Sequence, residues 1–240
     1  MWQLKKSKLK HMKKLVLMAA FIGAGFIVKA QLFYAQGGVN FANISKDNAG
    51  NVQDANTLTT FNLGLMFRPG LSEVVDIETG LLLNGQGAKS ETFFNGGNDY
   101  VKAKFNPLYL QIPVNLIVNI PLQSSTKLFA YAGPYVAMGV AGKSKIETKL
   151  GPIETSNSSS IKFNNDDPLT SGQEGAAYDR LKRFDAGANF GAGVQLSGFI
   201  LKANYGLGLT KINSKQTNNS DDQKNKYRTL SISVGIPLGK

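Results

Sequence analysis

The chain has 240 residues, no cysteine, one histidine (His11) and a formal net charge of +11. The length suits one domain, and the lack of cysteine excludes a disulfide framework, a thiolate nucleophile and any cysteine-ligated metal. Lys5, Lys6, Lys8, Lys10, Lys13, Lys14 and Lys29 all fall in residues 1–30; removing these seven from +11 leaves +4 without a basic stripe, so no nucleic-acid partner is expected.

Residues 1–30 read as an export signal. Met12-Lys13-Lys14 is a charged opening, Leu15 to Val28 is an apolar run, and Val28-Lys29-Ala30 before Gln31 places small residues where a signal peptidase cuts. The run is short for a spanning helix, which is the alternative. Met12 is a candidate start, because the signal is complete from there. The expected division is therefore a signal peptide at 1–30 and one domain at 31–240. Cleavage removes His11, leaving no histidine for a Ser-His-Asp triad or a histidine metal site.

Beyond residue 31 no stretch has the apolar length of a membrane helix, and helical periodicity is weak. Apolar–polar alternation recurs instead. The first segment is Tyr34 to Ile44, whose glycines obscure its faces. The second, Thr57 to Phe67, sets Phe61, Leu63, Leu65 and Phe67 against Asn62, Gly64, Met66 and Arg68. The third, Val74 to Gly87, opposes Val75, Ile77, Leu81 and Leu83 to Asp76, Glu78, Gly80 and Asn84. In the fourth, Asn106 to Ile120, Leu108, Leu110, Ile112, Val114, Leu116, Val118 and Ile120 share one side. The fifth, Lys127 to Gly142, is apolar or small on both faces and is left unoriented. The sixth, Arg183 to Leu196, opposes Phe184, Phe190 and Val194 to Asp185, Asn189 and Gln195. The seventh, Phe199 to Thr210, opposes Leu201, Tyr205 and Leu207 to Lys202, Asn204 and Gly206. The eighth, Tyr227 to Gly239, opposes Leu230, Ile232, Val234 and Ile236 to Thr229, Ser231 and Ser233.

Eight segments are an even number, and their connections alternate: short at 68–73, 121–126 and 197–198, long at 45–56, 88–100, 143–182 and 213–226. Short turns on one rim and long loops on the other are the pattern of a membrane barrel. Were the apolar rows turned inward, seven large side chains of the fourth segment would crowd the lumen of an eight-stranded barrel. The predicted fold is therefore all-β: an eight-stranded antiparallel up-and-down transmembrane β-barrel with short periplasmic turns and long extracellular loops, apolar rows facing lipid. Arg68, Asp76, Glu78, Asp185 and Lys202 then face the lumen as a structural polar network, the two cations beside the carboxylates, because an unpaired buried charge is expensive. The slightly negative mean hydropathy (−0.14) suits a barrel, since half of each strand and every outer loop is polar.

Six blocks, Gly37–Ile44, Leu81–Ser90, Asn106–Leu116, Tyr131–Val140, Phe184–Leu196 and Asn204–Ile212, resemble in order the PorT-like outer-membrane β-barrel family of Bacteroidota. The resemblance implies a small outer-membrane barrel, and through one member a link to protein secretion, but no specific activity. Such barrels usually finish on an aromatic residue, whereas this chain ends IPLGK.

The other motifs have plain readings. Gly142-Lys143-Ser144 resembles the end of a phosphate-binding loop, but Ala137 stands where the pattern needs glycine, and no helix pattern follows. The acidic stretches 164–168 and 219–225 lack the spacing of a calcium loop. The serine-rich 154–160 reads as an external loop. Asp76 and Glu78, two apart on one face, could perform acid–base chemistry, but the lumen network is the preferred account. The expectation is a non-enzymatic envelope protein without catalytic, cofactor-binding or metal-ligating residues, anchoring, adhering or interacting through its outer loops. Its partners would be outer-membrane lipids and envelope or secretion-complex proteins. The alternatives are a narrow pore for small solutes and an envelope enzyme.

Overall fold

The computed structural model describes residues 31–48, 51–54, 56–123, 126–163, 180–212 and 225–239. The export segment with His11, the acidic stretch 164–168 and residues 219–224 lie outside them. Eight long strands follow in order: β1 (Gln31–Asn48), β2 (Leu58–Pro69), β3 (Val75–Gly85), β4 (Asp99–Gln123), β5 (Thr126–Leu150), β6 (Phe184–Gln195), β7 (Ile200–Gly208) and β8 (Lys226–Pro237). Each pairs antiparallel with the next. The β1–β8 pairing, from Tyr34↔Pro237 to Ser45↔Lys226, closes the ring. The chain is an eight-stranded up-and-down barrel, a closure that leaves no free sheet edge around the cylinder. Among the described residues no helix is long and apolar enough to cross a membrane; strands make the crossing.

The alternation decides which side chains face out. Leu63 (58% exposed), Leu116, Val136, Ile232 (56%) and their row neighbours stand on the outer surface, while Asn62, Asn115, Ser231 and Glu78 (0%) are buried within. On β4 the outward side is apolar without a break from Leu108 to Ile120. At about 3.3 Å per residue and a tilt near 40°, that stretch rises about 30 Å, the thickness of a hydrocarbon layer. The unoriented fifth segment also resolves: Phe129, Tyr131, Tyr135 and Ala137 are buried inside, and Leu128, Val136, Met138 and Val140 face out.

Two long connections are not loops throughout. β4 and β5 run on past the barrel, paired from Tyr100↔Lys149 to Asn106↔Lys143. Strand Ala88–Phe94 lines one side of this extension and strand Ile153–Ser160 the other. The result is a four-stranded blade above the outer rim. It replaces the loops expected over 88–100 and over the first part of 143–182, and the serine-rich stretch is its outer strand. Beyond the base, where Ala88, Phe105 and Ser144 are buried, both faces of these strands are exposed or half-buried, so their ladder forms without the alternation by which a half-buried strand is recognised. Gly142-Lys143-Ser144 lies within β5, followed by more strand and no helix.

Candidate functional site: the filled lumen

Near the periplasmic turns the lumen holds a charge cluster on four strands. Glu78 of β3 receives Lys202 Nζ of β7 at 2.5 Å on one oxygen, and Arg68 Nη2 of β2 at 2.8 Å on the other. Tyr34 of β1 donates its hydroxyl to Glu78 at 2.6 Å. The two cations also lie over rings of β5: Arg68 is 4.6 Å from the Phe129 centroid, and Lys202 is 4.8 Å from that of Tyr131. All of these side chains are buried. Below them the mouth opens as a vestibule of about 480 Å3 lined by Leu32, Leu71, Glu73, Asp76, Lys127 and Gln195.

The sequence-predicted residues therefore separate. Arg68, Glu78 and Lys202 meet. Asp76, half-buried at the mouth, accepts from the Asn119 amide at 2.6 Å. Asp185 lies at the other end of the lumen, where it accepts from the Tyr135 hydroxyl at 2.9 Å and from Thr210. The expectation that the cations serve the carboxylates generally is thus narrowed to Glu78. Asp76 and Asp185 are held by neutral donors, because strand register puts those donors closer.

Amides fill the middle. Asn62 donates to Asn40, Asn40 to Asn84, and Asn84 to Gln111, at 2.6–2.8 Å. Gln36 and Ser233 donate to Asn62 at 3.3 and 3.0 Å. The space left among them is about 30 Å3, room for a few water molecules and no larger solute. This chain of hydrogen bonds crosses β1 to β4, so it ties neighbouring strands from the inside.

The outer end is closed by an apolar layer. Phe105, Tyr109, Tyr135 and Tyr227 pack with Ile161, Phe163, Leu181 and Ile212, which come from the connections. Those connections are anchored to the barrel and to each other. Ile161 N–H donates to Gly142, Gly139 N–H to Arg183, Lys182 N–H to Ile212, and Ile212 N–H to Asn225, all at 2.7–3.1 Å. The short strands Lys162–Phe163 and Arg180–Leu181 pair parallel here. Three layers of different chemistry therefore succeed one another along the lumen beyond the vestibule.

The lumen aromatics of β5, Phe129, Tyr131 and Tyr135, are the residues that sequence reasoning left unplaced. A signal for them exists on the neighbouring strand. Gly187, Gly191 and Gly193 of β6 are the register partners of Tyr135, Tyr131 and Phe129 of β5. A Cβ at Gly191 would stand 2.3 Å from the Tyr131 ring, and one at Gly193 2.4 Å from that of Phe129. Small residues on one strand make room for large ones on the next. Among the described residues no group of three histidine, aspartate or glutamate side chains is placed to hold a metal ion.

A family model described as outer membrane protein beta-barrel domain matches residues 30–214. No curated protein matches the chain. Among solved structures it is similar to Ail, the attachment invasion locus protein of Yersinia pestis, at 15% identity over 87% of this chain and 98% of that one, with a TM-score of 0.37. It is also similar to Neisserial surface protein A, at 13% identity over 88% and 100%, with a TM-score of 0.41. A third is the translocator domain of the autotransporter NalP from Neisseria meningitidis, at 10% identity over 96% and 97%, with a TM-score of 0.30.

Proposed function

Since the chain belongs to the outer membrane protein beta-barrel domain family, an outer-membrane protein whose surroundings are lipid, we propose that it is a non-enzymatic, non-conducting barrel that acts in the cell envelope through its outer extension, by anchoring, adhesion or interaction. The observation that carries this reading is the contrast between the two ends of β4 and β5. Within the membrane their inward side chains belong to a lumen whose middle is packed with amides, leaving about 30 Å3 among them, and outside it they rise as an exposed blade. A lumen so filled argues against a solute path. The blade is the largest described feature that membrane crossing does not require. The five charged side chains inside are each engaged by a neighbouring group, which favours a structural network of Arg68, Asp76, Glu78, Asp185 and Lys202 over acid–base chemistry.

The reading includes export by residues 1–30 and their removal before Gln31, where β1 begins; the intact mass of the outer-membrane form checks it. It also includes kinship with PorT-like barrels, supported by the six ordered blocks, and with it service to an envelope or secretion complex. The test pairs two measurements. Purified protein in planar bilayers is expected to show no steady conductance. Replacing 89–104 and 144–159 by short turns is expected to leave a folded, membrane-inserted barrel that has lost its cellular role. Steady ion conductance by the intact protein, or full cellular function without the blade, contradicts the reading.

A further inference from the structure

One face of the blade continues the lipid-facing surface of the barrel, and it is basic where it leaves the membrane. On β4 the outward side runs from Leu108 to Asn106, Lys104 and Lys102. On β5 a bulge intervenes: Leu108 pairs with Ala141 and Tyr109 with Gly139, so Val140 is the extra residue. Below the bulge the even-numbered Val136 and Met138 face lipid. Above it the faces exchange, and Lys143 and Lys145 come to the lipid side, paired with Asn106 and Lys104. Without that one residue Ser144 and Ile146 would stand there. Bulges re-aim side chains in this way and are built features of a sheet.

The row so made carries one sign. Lys89, Lys104 and Lys145 are direct cross-strand partners on three strands, with Lys143 one position nearer the membrane. Like charges placed directly opposite destabilise a sheet. The next row outward does not share the problem: Glu91, Lys102 and Glu147 alternate in sign, and Lys102 Nζ lies 4.2 Å from the Tyr100 ring centroid. Lys89 leans to Glu91 at 3.6 Å and Lys145 to Glu147. No carboxylate of the described residues lies within salt-bridge distance of exposed Lys104 or Lys143. At strand rise and barrel tilt these two lie about 5 to 10 Å beyond the end of the apolar band, at the level of the outer headgroups, and their long stems can bend towards the membrane.

We propose that Lys104, Lys143 and Lys145, with Lys89 at the flank, form a binding site for the phosphate groups of phosphorylated lipid headgroups in the outer leaflet. Continuity with the lipid-facing band selects a membrane lipid over a soluble anion, and the row of like charge, in which Lys104 and Lys143 have no carboxylate within salt-bridge distance, supplies the complementarity. The proposal rests on the barrel's place in the membrane, and holds whether or not the blade also recruits a partner.

The test uses the full chain in mixed detergent micelles, titrated with diphosphoryl lipid A, with its dephosphorylated counterpart and with heparin as a soluble polyanion. Retained lipid is read by native mass spectrometry, and folding of each variant by heat-modified gel mobility. The triple variant Lys104→Gln, Lys143→Gln, Lys145→Gln should stay folded and bind the phosphorylated lipid on the order of 100-fold more weakly, at roughly fivefold per lysine. The matching triple arginine variant should retain binding, and the dephosphorylated lipid should not distinguish wild type from the glutamine variant. Three results overturn the proposal: equal retention by wild type and the folded glutamine variant, equal retention of both lipids by wild type, or heparin bound more tightly than the lipid through the same lysines.

Discussion

At the residue scale the structure turns on Glu78. It is fully buried and is the one acceptor shared by Arg68, Lys202 and Tyr34. Replacing it with glutamine leaves two buried cations without a counter-charge, a loss of about 3–5 kcal/mol by the behaviour of other broken buried pairs. The expected outcome is a clear fall in the temperature at which the compact form is lost on a heat-modifiability gel; an unchanged temperature would show that the cluster does not hold the barrel. Lys202→Met, which leaves the Arg68–Glu78 pair, should cost less. Gly191 offers a second check. Valine there drives its side chain into the Tyr131 ring and the Ala203 carbonyl, and overpacking of this kind costs about 1–3 kcal/mol. Adding Tyr131→Ala should recover part of the loss, because it removes one of the two collisions. Alternation shows that Arg68, Glu78 and Lys202 share a face. Which of them meet depends on the register of strands that lie 10 and 124 residues from Glu78 in the chain, and no local pattern encodes that. Phe129 and Tyr131 were harder still. An aromatic side chain in a barrel strand suits lipid as well as it suits a lumen, and only the glycines opposite distinguish the two.

At the scale of elements, the strands buried on one face were legible and those exposed on both were not. Strand Ile153–Ser160 is polar after Ile153 and exposed throughout, so it carries no period to read. Its ladder to β5 is what holds it. The blade is thus the least buried part of the described barrel and should open first. Its charges respond to pH in a defined sense. Lys145 beside Glu147 holds that carboxyl below the usual range, and Glu154, accepting the Tyr100 hydroxyl, pushes that phenol above its usual value. A lowered carboxyl stabilises the folded blade above the unfolded carboxylate value and loses that contribution as pH falls through its own. A raised phenol contributes below the unfolded tyrosine value and loses it as pH rises through its own. Both groups are solvent-exposed, so the effects are small and screened by salt. Amide exchange in 99–105 and 143–150, corrected for its intrinsic pH dependence, should therefore increase on strong acidification at low salt, while exchange in the membrane part of the same strands stays slow. Uniform loss of protection along β4 and β5 would contradict this division.

At the scale of the whole molecule, one arrangement accounts for the composition. The oily rows that would swamp an eight-stranded lumen are on the outside, and the amides and charges that lipid would reject are inside, packed with aromatic side chains. The absence of cysteine makes this directly measurable, because single cysteines can be introduced without background. The most direct measurement places an environment-sensitive fluorophore on Ile112→Cys, Ile232→Cys and Ser231→Cys in protein folded into bilayers that carry nitroxide on the acyl chains. Strong quenching is expected at 112 and 232, and little labelling or quenching at 231. Quenching at 231 with 112 and 232 protected, or a protein that stays monomeric in water without lipid or detergent, would contradict that arrangement.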